Sequence, residues 1–322
     1  MTEANMDRLG FFKHGLSAAT DVVGQMIGLK KAVDTFTEVV DEALSGIKSD
    51  IGLNLQSLQG DMCENPRNTL FEAAQMGYTM IETASYANGR VYDMKPEEFR
   101  DAARKAGLKI AGAHLTRLLD ENPAASAQAA PTQSGEAEAA AETEDPALKW
   151  WAEALDTHRD MGCRYITMPS LPETLSDGTT ARYAAYFDTI GDMAAQRGMK
   201  FCFHPDKRHL TAENGVSAFD AIAAATDPAK VWFEIDTYET AEAGIDTKAL
   251  LKRYGKRVLL LHAHDYGAVG ESGRIDFDPI ISEAIRCGAQ DIFVEVRNYS
   301  LPPKNCAERS LYNLESLPSI KY

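Results

Sequence analysis

Four polar residues stand where predicted strands end, and their side chains are of the kinds that bind metals. The apolar runs FCFH, VWFEID, VLLLH and DIFVE end in His204, Asp236, His262 and Glu295, at intervals of 26 to 33 residues. If these runs are consecutive parallel strands of a closed sheet, their carboxyl ends meet at one rim. Two imidazoles and two carboxylates suit a divalent ion such as Mn²⁺, Co²⁺, Fe²⁺, Zn²⁺ or Mg²⁺. The sequence therefore predicts a metal site formed by these four side chains.

Each of the four residues also has a purely structural alternative. His204 alone is compatible with a hydrogen bond to a loop, and His262 with a neutral histidine of the core. Asp236 precedes TYE, a sequence typical of a helix N-terminus, which it would cap. Glu295 alone would suit an ion pair with an arginine. A structural role for all four at once is a larger coincidence than one shared ion.

Side chains two positions apart on a strand point to the same face of the sheet. His264 therefore lies beside His262 and is a candidate for orienting substrate or relaying a proton. Arg297 lies beside Glu295, where it would hold that carboxylate or a substrate oxygen. By the same rule Glu234 lies beside Asp236, as a residue of an interior layer.

Three further candidates lie on other predicted strands or just beyond them. Glu82 ends the second strand and His114 the third, so both are placed to contact substrate from the opposite rim. His114, like His264, is predicted to supply an acid or a base. Asp206 follows the fifth strand and is, with Glu82 and Arg297, a predicted substrate contact.

The elements that must position these residues alternate along the chain. Eight strand-like runs are each followed by a helical pattern, and several of the helices end at a glycine. The runs are IGLNLQSL, TMIETA, KIAGAHL, RYITMPS, KFCFHPD, KVWFEIDTYE, VLLLHAHDYG and QDIFVEVRNYS. Such alternation predicts an α/β protein with a parallel sheet, and eight units predict a closed (β/α)8 TIM barrel over residues 51–322.

Two segments do not follow this rhythm. Residues 1–50 are predicted to form an N-terminal helical extension, since apolar residues recur at helical spacing between Val22 and Ile47. Such a helix suits packing on the barrel or on a second copy of the chain, so a homo-oligomer is one expectation. The start of the chain resembles a degenerate export signal without an arginine pair. We expect a cytoplasmic protein, with the periplasm as the alternative.

The second segment is the stretch 120–145, which is rich in Ala, Glu, Ser and Pro. It follows the third strand, so it belongs to the face of the barrel that carries the candidate site. Its composition predicts a low-complexity acidic insertion without fixed structure. A lid that orders over bound substrate is the alternative.

Composition and charge exclude several classes of protein. A net charge of −15 disfavours binding to nucleic acid, because phosphate backbones repel such a surface. The chain contains no run of 18 apolar residues, so no membrane span is expected. It also lacks phosphate-binding glycine loops and the nucleophile motif GxSxG. The five cysteines form no CxxC pair, which favours reduced thiols. A small-molecule partner remains.

From about Ile51 to Leu317 the sequence resembles the sugar phosphate isomerase/epimerase family, the xylose isomerase-like barrels. The motifs that support the resemblance are MGYTMIETASYANGRVYDMKPEEF, WFEIDTYET, LHAHDYG with the later IDF, and VEVRNYS. Members of this family bind a metal through Glu, Asp, His and Glu from strands five to eight. Carried over, these positions fall on the ligands already predicted, His204, Asp236, His262 and Glu295.

The sequence departs from the family pattern at three positions. His204 replaces a glutamate that epimerases use as one of two opposed acid–base residues. His264 replaces the lysine of the HvKD motif, and Glu239 replaces a tryptophan. A symmetric two-glutamate mechanism is therefore not expected, and His264 or His114 is predicted to supply the missing acid or base.

The predicted function is a metal-dependent isomerase or epimerase acting on a sugar or keto-sugar. An ion at the site would polarise a carbonyl and acidify the adjacent C–H, which Glu295 would deprotonate to an enediolate. Loss of a β-substituent from that intermediate would instead make the protein a lyase or dehydratase of a 3-keto-sugar, glycoside or inosose-like substrate. Two other classes are a non-catalytic sugar-binding barrel and a DNA-repair endonuclease. The acidic charge disfavours the endonuclease.

Overall fold

The computed structural model describes residues 51–119, 145–169, 171–172, 177–213 and 215–320. The predicted N-terminal extension lies outside the described residues, and so does the acidic insertion apart from Asp145. The expected homo-oligomer and the export signal also rest on the undescribed N-terminal segment.

Eight parallel strands close into a barrel in the order in which they follow along the chain. Each strand is an almost entirely buried apolar run, as expected when helices cover the outside of a parallel sheet. The strands are β1 Ile51–Asn54, β2 Met80–Thr83, β3 Lys109–His114, β4 Tyr165–Met168, β5 Lys200–Phe203, β6 Val231–Asp236, β7 Val258–His264 and β8 Asp291–Glu295.

One long helix follows each strand and packs on the outside of the barrel. Gly107 and Gly162 end two of these helices with φ values of 86° and 100°, a backbone conformation that glycine adopts without steric cost. The predicted α/β class and (β/α)8 barrel are confirmed. The helices are α1 Pro66–Gln75, α2 Pro96–Ala106, α3 Pro146–Met161, α4 Asp177–Ala195, α5 Ala218–Ala225, α6 Thr247–Tyr254, α7 Phe277–Cys287 and α8 Pro303–Glu315.

The interior of the barrel is filled in layers, with an apolar layer below a polar one. The apolar layer is a separate cluster of buried side chains. Its buried members are Met80, Ala111, Tyr165, Cys202, Leu259, Leu260 and Phe293. Nearer the carboxyl ends of the strands the interior positions become polar while remaining buried, and these positions form the candidate site.

Two irregularities in strand pairing lie just before the polar layer. Between β2 and β3 the register shifts at Ile81/Glu82, so that Ala111 is an extra residue on β3. Between β6 and β7 it shifts at Phe233/Glu234, with Leu259 as the extra residue on β7. Such bulges redirect the side chains that follow them.

Short helices lie in the loops that follow several strands on the side of the candidate site. A single 3-10 turn, Leu55–Leu58, follows β1, and the helices Lys207–Leu210 and Thr237–Glu242 follow β5 and β6. The sequence suggested the helix that Asp236 would cap, but it placed residues 55–58 in the first strand-like run, IGLNLQSL, where the chain instead turns. Among the described residues, none of the helices combines the length and apolar character needed to cross a membrane.

Candidate active site

The four predicted metal ligands converge in the barrel. One nitrogen or oxygen atom from each of His204, Asp236, His262 and Glu295 lies within 4.8 Å of the corresponding atom of every other. All four side chains are buried, with at most 2% exposure. Strand pairing places Asp236 directly opposite His262, so the register of β6 and β7 fixes part of the set.

The two oxygens of Asp236 have separate tasks. Its Oδ1 accepts hydrogen bonds from the backbone N–H groups of Tyr238 and Glu239, which caps the helix after β6. Its Oδ2 faces the site, 2.9 Å from Nδ1 of His264 and 3.7 Å from Nε2 of His204. The capping role considered from the sequence is therefore real, and it fixes the carboxylate with one oxygen left for a ligand.

His204 is the strongest structural indication that a metal fits here. Its side chain is 2% exposed, and neither ring nitrogen has a hydrogen-bond partner among the described residues. Burying such a group without a partner is unfavourable, and a metal ion would satisfy one of the two nitrogens. The donor set of imidazole and carboxylate suits Mn²⁺, Co²⁺, Fe²⁺ or Zn²⁺.

Glu295 is held from two sides. Nε of Arg297 donates to its Oε1 at 2.8 Å, and its Oε2 lies 3.1 Å from Nδ1 of His262. Burial raises the pKa of Glu295, but the contacts with His262 and Arg297 outweigh burial and hold it below its usual value. Glu295 is therefore a carboxylate at neutral pH.

Below His262 lies a second polar group, which includes Glu82, His114 and Glu234. Nε2 of His114 is 3.1 Å from Oε2 of Glu82 and 3.0 Å from Oε2 of Glu234. Nε2 of His262 is 2.9 Å from Oε2 of Glu82 and 3.0 Å from Oε1 of Glu234. The sequence placed Glu82 and His114 at the opposite rim, whereas the structure brings both into contact with the carboxylate and imidazole groups of β6 and β7.

Electrostatic contacts within this group favour a protonated imidazole beside ionised carboxylates. Burial lowers the pKa of His114, but the charges and hydrogen bonds of Glu82 and Glu234 outweigh it and raise the pKa to about 9. Burial raises the pKa of Glu234, and contacts with His262 and His114 reverse this effect and leave it well below its usual value. Asn54 also belongs to the group, since its Nδ2 donates to Oε2 of Glu82 at 2.7 Å. The sequence pattern did not indicate a role for Asn54.

A cavity of about 410 Å³ opens beside these residues, within the range of small-molecule sites. Its wall includes Glu295, Arg297 and His114, together with Gln56 and Tyr86. Of the predicted catalytic residues, Glu295 and His114 thus face the space that a substrate would occupy. The predicted roles of these residues stay predictions.

The other predicted histidine, His264, is differently placed. Its side chain is buried, its Nδ1 contacts Asp236, and its Nε2 has no hydrogen-bond partner among the described residues. The ring of Tyr238 lies against it, with 4.6 Å between ring centroids. His264 therefore orients the Asp236 carboxylate, and its predicted part in proton transfer stays a prediction.

Two aspartates near the site organise loops. Asp206 caps the helix Lys207–Leu210 by accepting from the backbone of Arg208 and His209, and it also pairs with the Arg208 side chain. These partners engage both carboxylate oxygens of Asp206. The predicted contact of Asp206 with substrate stays a prediction. Asp265, the last residue of HAHD, accepts from the backbone N–H groups of Tyr266, Gly270 and Ser272 and from the Ser272 hydroxyl. It therefore orders the loop after β7.

The chain is similar in sequence to a known dehydratase. An inosose dehydratase from Geobacillus kaustophilus (strain HTA426) is 25% identical over 214 residues, which are 61% of this chain and 60% of that protein. The chain thus matches less than two thirds of that relative's length.

Solved structures share the fold at lower identity. A sugar phosphate isomerase/epimerase from Parabacteroides distasonis superposes with a TM-score of 0.73 at 23% identity, covering 85% of this chain and 96% of that one. The IOLI protein, solved with a bound zinc atom, superposes with a TM-score of 0.60 at 14% identity, covering 85% and 99%.

The family profile described as xylose isomerase-like TIM barrel matches residues 70–316. This span includes seven of the eight strands and every predicted site residue. The barrel, the arrangement of its polar rim and this match agree, and the chain belongs to the xylose isomerase-like TIM barrel family.

Proposed function

We propose that the protein is a divalent-metal-dependent isomerase or epimerase of a sugar or keto-sugar. The observation that carries the proposal is the convergence of His204, Asp236, His262 and Glu295 beside a cavity whose wall includes Glu295. The relationship to an inosose dehydratase and the likeness to an isomerase/epimerase support a carbohydrate as the substrate class.

These four residues would hold the ion, and the zinc of the structurally similar IOLI protein supports a metal in this fold. A bound dication acts as a Lewis acid that polarises a carbonyl and acidifies the adjacent C–H bond. The protein's own contribution is to orient the ligand atoms before an ion binds. The hydrogen bond from the backbone of Tyr238 orients the Asp236 carboxylate, and the contacts with Glu82 and Glu295 orient the His262 ring.

Glu295 is the proposed base, because it is ionised and lies at the cavity wall. It takes the proton from the carbon next to the substrate carbonyl, and the electron pair of that C–H bond moves toward the carbonyl oxygen. Arg297 keeps Oε1 of Glu295 fixed through its Nε. The Nη atoms of Arg297 have no partner among the described residues, which leaves them for a substrate oxygen.

His114 is the proposed acid that returns a proton. Its raised pKa, about 9, keeps it protonated at neutral pH, and it lines the cavity with Glu295. Its Nε2 is engaged by Glu82 and Glu234, so Nδ1 is the nitrogen that faces substrate. Proton return to carbon or oxygen on the opposite side completes an isomerisation or epimerisation.

The alternative is a dehydratase or lyase, and it shares the first step. If the substrate carries a leaving group β to the carbonyl, the electron pair expels that group, and protonated His114 donates to the departing oxygen. The relationship to an inosose dehydratase favours this outcome, as does an imidazolium placed at the cavity. The two outcomes differ in whether the product has lost water or an alcohol.

The test measures deuterium incorporation into the substrate and the mass of the product in the same reaction. The protein is incubated in deuterated buffer with a panel of keto-sugars, inososes and 3-keto-glycosides, with EDTA or with added Mn²⁺. We expect deuterium at the carbon next to a carbonyl, abolished by EDTA and restored by Mn²⁺. An unchanged skeleton indicates the isomerase, and loss of water or an alcohol the lyase. Sugar binding that survives EDTA with no exchange on any substrate would overturn the proposal.

A further inference from the structure

The second polar group, below His262, has no part in the proton transfers proposed above except through His114. We infer that Asn54, Glu82 and Glu234 hold His262 in the single tautomer that presents the Nδ1 lone pair to a dication. They are then positioning residues for the metal site and not ligands of a second ion. The inference rests on the metal site of the proposed function and names what determines its geometry.

The amide of Asn54 can be oriented from the backbone. The N–H of Gln56 donates to Oδ1 of Asn54 at 2.8 Å, because Asn54 caps the 3-10 turn after β1. The carbonyl end of the amide is therefore fixed, and Nδ2 is the atom that reaches Oε2 of Glu82. Since Nδ2 can only donate, Oε2 of Glu82 is an acceptor.

The tautomer of His262 follows from this acceptor. Its Nε2 is in a 2.9 Å hydrogen bond with Oε2 of Glu82 and lies 3.0 Å from Oε1 of Glu234, a charge contact without hydrogen-bond geometry, so Nε2 carries the hydrogen. The contact between Nδ1 and Oε2 of Glu295 also suits an N–H while no ion is bound, and a dication would displace that hydrogen. The single N–H of the resulting neutral imidazole stays on Nε2, which leaves the lone pair on Nδ1. Nδ1 lies 3.1 Å from Glu295 and 4.0 Å from Asp236, on the side of the proposed metal. Metal-binding histidines generally donate their other N–H to such a carboxylate.

A second ion in the lower group is the competing explanation, because its donor atoms also lie within 4.8 Å of one another. In addition, Oε1 of Glu82 and Oε1 of Glu234 have no hydrogen-bond partner among the described residues. Two features argue against it. Oε2 of Glu82 already faces three nitrogen atoms, from Asn54, His114 and His262. An ion held by all four side chains of this group would also need the Nε2 lone pair of His262, and the ring would have to lose both protons to serve two ions.

The barrel is locally modified to place these carboxylates. Both register shifts fall immediately before them, at Ile81/Glu82 and Phe233/Glu234. A Cβ atom at Gly112 would lie 2.9 Å from Oε1 of Glu82, so the carboxylate packs against β3 in space that a larger residue would share. Bulges of this kind are typical of strands that aim functional side chains.

The first experiment measures Co²⁺ binding to the EDTA-stripped chain by competition with a chromophoric chelator. The variants are Glu82→Gln and Glu234→Gln, with Thr167→Val as the matched control. Thr167 is buried on β4 opposite His114, and its hydroxyl has no partner among the described residues. We expect one ion per chain, with affinity about 10- to 100-fold weaker in the two glutamine variants. The control should bind as the wild type does.

The second experiment uses the wild-type chain and does not depend on how the variants fold. With ¹⁵N-labelled histidine and ¹¹³Cd²⁺ as the probe, seven histidines give a small set of signals to assign. We expect scalar coupling between cadmium and Nδ1 of His262, with the proton on Nε2. Coupling to Nε2 instead would overturn the inference.

Failure of the inference and failure of the proposed function give different results. If the wild-type chain binds no Co²⁺, the metal premise of the proposed function fails. If it binds one ion and both glutamine variants match Thr167→Val, the inference fails and the proposed function stands. Two ions in the wild type, one of them lost in Glu82→Gln, would establish the competing second site.

Discussion

Single residues of this site carry two tasks at once, and Asp236 is the clearest example. Its Oδ1 accepts hydrogen bonds from two backbone N–H groups at the start of a helix, which would otherwise have no partner. Its Oδ2 faces His204 and His264. A capping carboxylate is already desolvated and oriented, so little further ordering is needed when an ion binds. The structural alternative for Asp236 and its functional role are therefore compatible.

Glu295 gives the first prediction at this scale. Replacing Glu295 with glutamine removes the base but keeps an oxygen that can face the ion and a side chain of the same shape. We expect deuterium exchange into substrate to fall by at least about 100-fold, the usual effect of losing a general base. Co²⁺ affinity should fall much less. Glu308→Gln, at an exposed position, serves as the control.

Measurements of exchange and of Co²⁺ binding on the same preparation separate the two roles of Glu295. Exchange at the wild-type rate in Glu295→Gln would remove this residue from the base role. Loss of the ion together with exchange would instead mean that Glu295 acts chiefly as a ligand.

The site residues that could be predicted from the sequence are those whose position follows from the residues next to them in the chain. His204, Asp236, His262 and Glu295 each end or follow an apolar run, so their position at the rim can be predicted without knowing any contact. Asn54 ends β1 in the structure, but in the sequence it lies inside the longer run IGLNLQSL, where a single amide indicates nothing by itself. Its role depends on Glu82, 28 residues away, and only the folded barrel brings the two together.

At the scale of strands, the bulges decide which side chains point inward. Residues of a regular strand alternate between two faces, yet Ala111 and His114, three apart, both contact the interior. Leu259 and His262 repeat this pattern on β7. The apolar runs of the sequence predicted the eight strands correctly. They could not reveal where one extra residue in a strand reverses the in–out alternation of the side chains.

Gly112 provides the test of this arrangement. In Gly112→Ala the new methyl would meet Oε1 of Glu82 at 2.9 Å, so the carboxylate or the strand must move. We expect a loss of about 1–3 kcal/mol in the free energy of unfolding, the usual cost of overpacking. Weaker Co²⁺ binding should accompany it, because Glu82 would no longer hold His262.

Gly60→Ala is the matched control, since no atom lies within 4 Å of its added methyl and it sits in the helix Gln59–Glu64. There alanine should stabilise the protein by about 0.5–1 kcal/mol. Urea unfolding of both variants makes the comparison. Equal stabilities would show that the space beside Gly112 is not limiting.

His158 on α3 makes a prediction about pH. It is buried with its ring against Tyr86, and burial lowers its pKa to about 4. The unfolded chain therefore binds this proton first as the pH falls below about 6.5, and stability present above that pH is lost toward pH 4. Between pH 7 and 5 the loss should be roughly 2 kcal/mol.

Urea unfolding of the wild type and of His158→Leu at several pH values checks this. The variant should lose the corresponding part of the pH dependence whatever its absolute stability. A pH dependence identical in both proteins would mean that His158 binds a proton as readily in the folded protein as in the unfolded chain.

For the whole molecule, the arrangement concentrates negative charge in the barrel. Glu82, Glu234, Asp236 and Glu295 are buried together, and the protein as a whole carries a net charge of −15. Protonated His114 and Arg297 offset two of these four charges. Burial lowers the pKa of His262 and His264, but the neighbouring carboxylates outweigh it and raise both, so protons supply the remaining balance in the metal-free site. A dication at the upper group would take over this balance and displace such protons, so the metal should stabilise the fold as well as activate substrate.

Metal binding and the stability of the fold should therefore be linked. At a free Mn²⁺ concentration about 100 times the dissociation constant, the folded chain should gain about 2.7 kcal/mol, seen as a rise of several degrees in Tm. Because a strongly acidic protein attracts dications over its whole surface, the control must remove the site and keep the charge. His204→Ala meets this need, since it deletes a neutral ligand and leaves every carboxylate in place. A Tm rise in His204→Ala as large as in the wild type would assign the stabilisation to the acidic surface and not to the barrel's rim.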